Sequence, residues 1–283
     1  MFYPIRRVLE TTAYLMRKVK RESFRNYIPK SHHSRPLAIL VNGPSLNHSL
    51  TEIIETKKHE EYDLMCVNFM VNDSRFEIIR PRYYVISDPM FYDAPGCEDR
   101  VKDFFANINR KVFWKLILFV PYRFWKDKSW LKRFHNNIET IPFYMETPSE
   151  IVYFFSRMAK AGIIGTCYGS VLHHAIYAGL LSGYDKIYLY GADHTFFDGL
   201  CVNSQNQVCK KTTHFYDENP NIEPIYHTYT GVKTPYTMSH FLNEYFRVFH
   251  GHEILQTIAK SMAVDIVNKT PISMIDSYKR TDE

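Results

Sequence analysis

The 283 residues suffice for one large core or two small ones, and an apolar content of 45% is that of a globular chain. No run of 18 apolar residues occurs, so no spanning helix is expected. Five irregularly placed Cys argue against a disulfide framework and for a reducing compartment. The net charge of +5 is uneven: residues 1–35 carry +7 and residues 100–135 carry +8, leaving −10 on the rest. Two basic regions on an acidic body point to an anionic surface or ligand rather than to general nucleic-acid affinity.

In chain order, residues 4–28 read as a helix. Pro4 suits its first turn, and Ile5, Val8, Leu9, Thr12, Leu15 and Val19 recur at helical spacing among seven Lys/Arg. Such a helix lies in the headgroup region of an anionic bilayer, or packs on its own domain or on another subunit; both readings stay open. Residues 29–36 form a linker, with His32 and His33 solvated. Leu37–Val41 is a short apolar run that suits a strand buried on both faces. Asn42-Gly43-Pro44-Ser45 then forces a sharp turn into a helix, whose first N–H groups attract anions such as phosphate. Too few glycines are present for a dinucleotide fingerprint or a Walker loop.

A helix over 49–58 follows, then strands at 63–68 and 83–89. The three strands end in Asn42, Asn68 and Asp88. In open parallel sheets ligands bind at the carboxyl ends of strands, so the three exits predict a shared pocket. Residues 97–135 interleave Trp and Phe with Lys and Arg, which reads as a membrane- or acceptor-facing surface or as packed aromatics with solvated charges. Strands are expected near 115–120 and 138–143. Residues 165–170 form a loop containing Gly169 and Ser170. A small-residue helix over 171–182 follows it, and Gly183 caps that helix. The strand 186–190 exits into Gly191-Ala192-Asp193-His194. Asp193 and His194 could serve acid/base or metal chemistry, and spacing favours a loop-bracing role for Asp193. Residues 195–236 have weak periodicity and many tyrosines, which reads as a lid that orders on a ligand. A helix over 238–262, bent at Gly251, and a strand at 264–268 close the chain.

Several of these stretches resemble known families. Asn42-Gly43-Pro44-Ser45-Leu46 and the strand ending in Asn68 are similar to the nucleotide-binding start of the family 42 bacterial sialyltransferases. Gly169-Ser170, Gly183–Leu189, Gly191-Ala192-Asp193-His194 and the closing Asn268-Lys269-Thr270-Pro271-Ile272-Ser273 resemble the MptE-like (DUF115) proteins of polysaccharide and flagellin-glycan loci. The resemblance covers residues 37–280 in patches. It implies an α/β, modified Rossmann-like fold with a mostly parallel sheet flanked by helices, a lid insertion at 195–236 and the N-terminal amphipathic helix outside it. Residues 1–36 would then be helix and linker, and residues 37–283 a single nucleotide-binding catalytic domain.

By the same resemblance Asn42, Gly43, Pro44 and Ser45 would hold a nucleotide and Asn68 its sugar or phosphate, with Asp88, Gly169, Ser170, Asp193 and His194 around it. Asp88 and Gly169-Ser170 depart from the sialyltransferase pattern. The implied activity is a glycosyltransferase using a nucleotide-activated sugar, often a CMP-activated nonulosonate, in bacterial surface polysaccharide synthesis. The chemistry needs a base near neutrality, for which His214 and His240 are the candidates, and donors to the departing phosphate such as Tyr216, Tyr226 and Tyr229. No Asp-x-Asp motif occurs, so no metal and no further cofactor are expected. The expected partners are the nucleotide-sugar donor, a glycan or lipid-linked glycan acceptor and the anionic inner-membrane surface, with no nucleic acid and with homo-oligomerisation left open. The expected location is cytoplasmic, peripheral on the inner membrane. The alternatives are a pterin-type pyrophosphokinase and a non-catalytic nucleotide-binding subunit of a polysaccharide assembly.

Overall fold

A computed structural model of the protein describes residues 3–20, 28, 34–92, 98–147, 155–166, 168–212, 221–229 and 232–281. The strands are β1 (Leu37–Leu40), β2 (Asp63–Val67), β3 (Tyr83–Val85), β4 (Leu116–Pro121), β5 (Ile138–Phe143), β6 (Lys186–Tyr190), β7 (Leu200–Val202), β8 (Val208–Thr212), β9 (Asn221–Pro224), β10 (Tyr226–Tyr229), β11 (Val232–Pro235) and β12 (Asp265–Asn268). Seven of them form one sheet in the order β12-β6-β1-β2-β3-β4-β5, with every neighbouring pair parallel. The fold is thus α/β and Rossmann-like.

The helices are α1 (Tyr3–Lys20), α2 (Leu46–Glu55), α3 (Lys58–Glu61), α4 (Phe76–Ile79), α5 (Glu98–Lys111), α6 (Tyr122–Trp125), α7 (Lys128–Leu131), α8 (Phe155–Lys160), α9 (Val171–Ser182) and α10 (Met238–Ser261). Helices cover both faces of the sheet, which explains the uninterrupted apolar runs of its inner strands. Leu37 and Ile39 of β1 pack with α9 and α10 on one face, and Ala38 and Leu40 with α2 and α5 on the other. The period of two puts alternate residues of one strand into different cores. Helix α9 comes so close to the sheet that a Cβ at Gly179 would lie 2.7 Å from Leu37 Cδ2. The small residues of this helix serve that approach, as its sequence suggests.

Several expectations need correction. Helix α2 starts at Leu46, three residues before the predicted start, and α5 was not legible among the charges of 97–135. The aromatics of that stretch are mostly core. Phe119, Phe124 and Trp130 are buried, and the Trp130 indole donates to Phe91 O, while Phe113 is exposed. Packing with solvated cations, such as Arg133 over Phe105, therefore replaces most of the proposed contact surface. The lid region is not irregular: β7–β8–β9 and β10–β11 form two small antiparallel sheets. Helix α10 runs through Gly251 without interruption. Residues 21–27 of the predicted first helix, and His32 and His33, lie outside the described residues.

Candidate active site at the switch of strand order

The chain builds the sheet outward from β1 to β5, then returns through α9 to place β6 on the other side of β1. A crevice must open at the carboxyl ends of β1 and β6, because their connections leave in opposite directions. A cleft of about 360 Å³ lies there, lined among others by Asn42, Gly43, Pro44, Asn68, Asp193 and His194. Six residues singled out from sequence thus converge on one cavity. Val171 at the start of α9, Phe196 after β6 and Lys210 from lid strand β8 complete the walls used below.

The floor is a clamp between two turns. Val41 N–H donates to Tyr190 O and Gly43 N–H to Gly191 O. A Cβ on Gly43 would sit 2.0 Å from Asp193 Oδ2 and 2.3 Å from Gly191 O, so no other residue fits. Asp193 accepts from Ser45 N–H (3.2 Å) and from the Ser45 hydroxyl (2.8 Å), which engages both carboxylate oxygens. This corrects the anion-binding expectation for the start of α2. The protein's own carboxylate already fills the end where phosphate was expected, and Ser45 Oγ is not free. The closing Asn-x-Thr-x-x-Ser stretch braces the same turn from behind. The Thr270 hydroxyl accepts from Ala192 N–H, the Ser273 hydroxyl donates to Ala192 O, and Asn268 Nδ2 donates to Ser273 Oγ.

Behind the cleft lies a chain of buried rings. His194, held at a left-handed φ of 53°, has Nε2 3.1 Å from His252 Nε2. His252 Nδ1 is 2.9 Å from the Tyr278 hydroxyl. His173 packs against His252 with ring centroids 4.3 Å apart and the planes tilted by 59°, and its Nε2 pairs with Val248 O. Burial pushes the His194 pKa down to about 4 and those of His173 and His252 well below the usual histidine value; the neighbouring imidazoles add to the effect on the last two. All three rings are therefore neutral at pH 7.

Donor counting assigns the tautomers, on the ground that a buried phenol O–H needs an acceptor. The buried Tyr278 hydroxyl has His252 Nδ1 as its acceptor, so His252 carries its proton on Nε2 and donates to His194 Nε2. His194 is left with Nδ1–H, a nitrogen with no hydrogen-bond partner among the described residues. A neutral imidazole that donates toward a cleft polarises or binds an anion.

Other features of the cleft favour a ligand that is both anionic and polar. Lys210 makes no ion pair among the described residues. The first turn of α9 holds no acidic side chain, and its N-cap Ser170 accepts from Leu172 N–H at 3.2 Å. Asn68 adopts φ 47° at the exit of β2, and its Oδ1 is buried with no partner. Asn42, which also lines the cleft, donates from Nδ2 to Val67 O at 3.2 Å and so ties the exits of β1 and β2 together.

The remaining sequence candidates fall elsewhere. Asp88 caps a single 3-10 turn through Met90 N–H (3.0 Å) and does not line the cleft, because β3 stands two strands from the switch point. Gly169, at φ 94°, and Ser170 shape the entry to α9 and touch the cleft only through the next residue, Val171. His240, one turn into α10, packs against His227 (4.4 Å between centroids) with Glu244 Oε2 4.0 Å from Nε2, and is not among the cleft residues. Tyr226 is exposed on β10. Tyr229 shares that strand, with its side chain outside what is described; His214 and Tyr216 lie wholly outside it. Sequence reasoning missed Lys210 and the pairing of His252 and Tyr278 with His194. The polar positions on the buried face of α10 were the available signal. Among the described residues no group of three His, Cys, Asp or Glu is placed to hold a metal ion.

No family model matches the chain, and no curated protein matches it. A solved structure to which it is similar is a MAf glycosyltransferase from Magnetospirillum magneticum AMB-1, at a TM-score of 0.49 and 11% sequence identity. The match covers 96% of this chain and 38% of that one, so the chain spans less than two-fifths of that protein's length.

Proposed function

We propose that the protein is a glycosyltransferase that takes a nucleotide-activated sugar, a CMP-activated nonulosonate or a related sugar, into the switch-point cleft. Its place would be in bacterial surface polysaccharide synthesis, as the motif resemblance to the MptE-like and family 42 groups implies. The observation that carries the reading is the convergence, at one cleft, of Lys210, the N-terminus of α9, an unpartnered Asn68 oxygen and a neutral His194 held as a hydrogen-bond donor. The first two suit a phosphate, and Asn68 suits a base or sugar N–H or O–H group.

In this reading an acceptor hydroxyl attacks the anomeric carbon as the bond to the phosphate oxygen breaks. Charge develops on the departing nucleotide. Lys210, Val171 N–H and His194 Nδ1–H stabilise it, and lid tyrosines (Tyr216, Tyr226 or Tyr229) close over it. The acceptor hydroxyl needs a base to take its proton, for which His214 and His240 are the candidates. At His240 the Glu244 carboxylate, 4.0 Å away, would stabilise the imidazolium. The lack of an Asp-x-Asp motif favours a metal-independent reaction.

The test is donor hydrolysis and transfer with CMP-sialic acid, CMP-Kdo, and UDP- and GDP-sugars in the presence of EDTA. One nucleotide class should turn over. His194→Asn, which tolerates the left-handed backbone, should lower kcat/KM at least tenfold, and either His214→Ala or His240→Ala should lower kcat. No turnover and no hydrolysis across the panel would overturn the proposal.

A further inference from the structure

Helix α1 is docked with its polar side partly inward and its apolar stripe outward. Ile5, Val8, Leu9, Leu15 and Met16 fall on one stripe by their spacing, and their exposures run from 46% to 67%. Tyr14, by contrast, is 1% exposed, and its hydroxyl donates to Ile163 O at 2.9 Å. A helix folded onto its own domain buries its apolar stripe. Here one tyrosine anchors the helix while the stripe faces away from the protein.

Charge selects what covers it. The helix carries five Lys/Arg and one Glu, a net +4, with Arg6 and Arg17 exposed beside the stripe. Pairing with the same helix of a second copy would bring two such charges together. An anionic bilayer instead accepts the apolar side chains at the acyl boundary and the guanidinium groups at its phosphates. We propose that α1 is an interfacial helix that docks the protein on anionic phospholipid. Ile163 lies between α8 and α9, so the Tyr14 bond anchors the docked helix to that connection. The proposal stands without the transferase reading, since no step of catalysis enters it.

Co-sedimentation of the full chain with vesicles of phosphatidylcholine alone, or of phosphatidylcholine with phosphatidylglycerol, tests it without any nucleotide sugar. Binding should require the anionic lipid and weaken as salt rises. The double variant Leu9→Asp, Met16→Asp, at two exposed positions, should bind at least tenfold more weakly with an unchanged melting temperature. Arg6→Ala, Arg17→Ala should flatten the salt dependence. Binding that ignores lipid charge, or that the aspartates leave intact, would overturn the proposal. So would a dimer of the parent chain in light scattering that the aspartates dissolve, because a second copy would then cover the stripe.

Discussion

At the scale of single residues, the site depends on side chains whose neutrality burial enforces. His173, His174, His194 and His252 are all buried with pKa values below the ordinary 6.5, His174 at about 3 and His194 at about 4. In the unfolded chain each takes a proton as pH falls through 6.5; in the folded chain none does until far lower. The unfolded state therefore binds more protons below 6.5, and folding stability is complete above that pH and drains away beneath it. Each histidine contributes about 1.4 kcal/mol per pH unit. Calorimetric melting between pH 7.5 and 5, where few carboxylates titrate, should show a steep fall beginning near 6.5. A flat profile in that window would mean that these rings are not held neutral. Asp193 illustrates a different residue-scale lesson: its place beside a histidine at a strand exit suggested chemistry or bracing, and the structure gives both its oxygens to Ser45.

Among the elements, helix α10 decides whether the histidine chain can form. Gly251 sits opposite Tyr168 and His173, where a Cβ would meet Tyr168 Cβ at 2.5 Å and His173 Cε1 at 3.0 Å. Gly251→Ala should raise helix propensity yet destabilise the fold by roughly 1–3 kcal/mol through overpacking. Denaturant titration of the variant checks this, and an unchanged or higher midpoint would contradict the close packing. The strands were legible because each is a short apolar run followed by Asn, Gly or Asp. Their exits predicted the wall of the cleft, Asn42, Gly43, Pro44 and Asn68. Helix α5 was hidden because charged residues occupy much of its exposed surface. The lid strands were hidden because small antiparallel sheets beside a domain lack the apolar alternation of a core strand. His252 could not be paired with His194 from sequence, since 58 residues separate them and only the packing of α10 on α9 and β12 brings the two rings together.

For the molecule as a whole, strand order and lid meet at the carboxyl ends of β1 and β6, and the N-terminal helix is fastened to the connection before α9. The reversal of order at β1 and β6 opens the cleft, and β8 brings Lys210 over it. The central claim is that this cleft binds the phosphate and base of an activated sugar nucleotide. Isothermal titration of CMP, UDP, GDP and ATP, each with and without Mg²⁺, into the parent chain and into Lys210→Glu addresses it most directly. The account predicts saturable binding of a cytidine nucleotide without Mg²⁺, at least tenfold weaker in Lys210→Glu while that variant melts as the parent does. Absence of binding by all four nucleotides, or binding that the charge reversal leaves untouched, would contradict it.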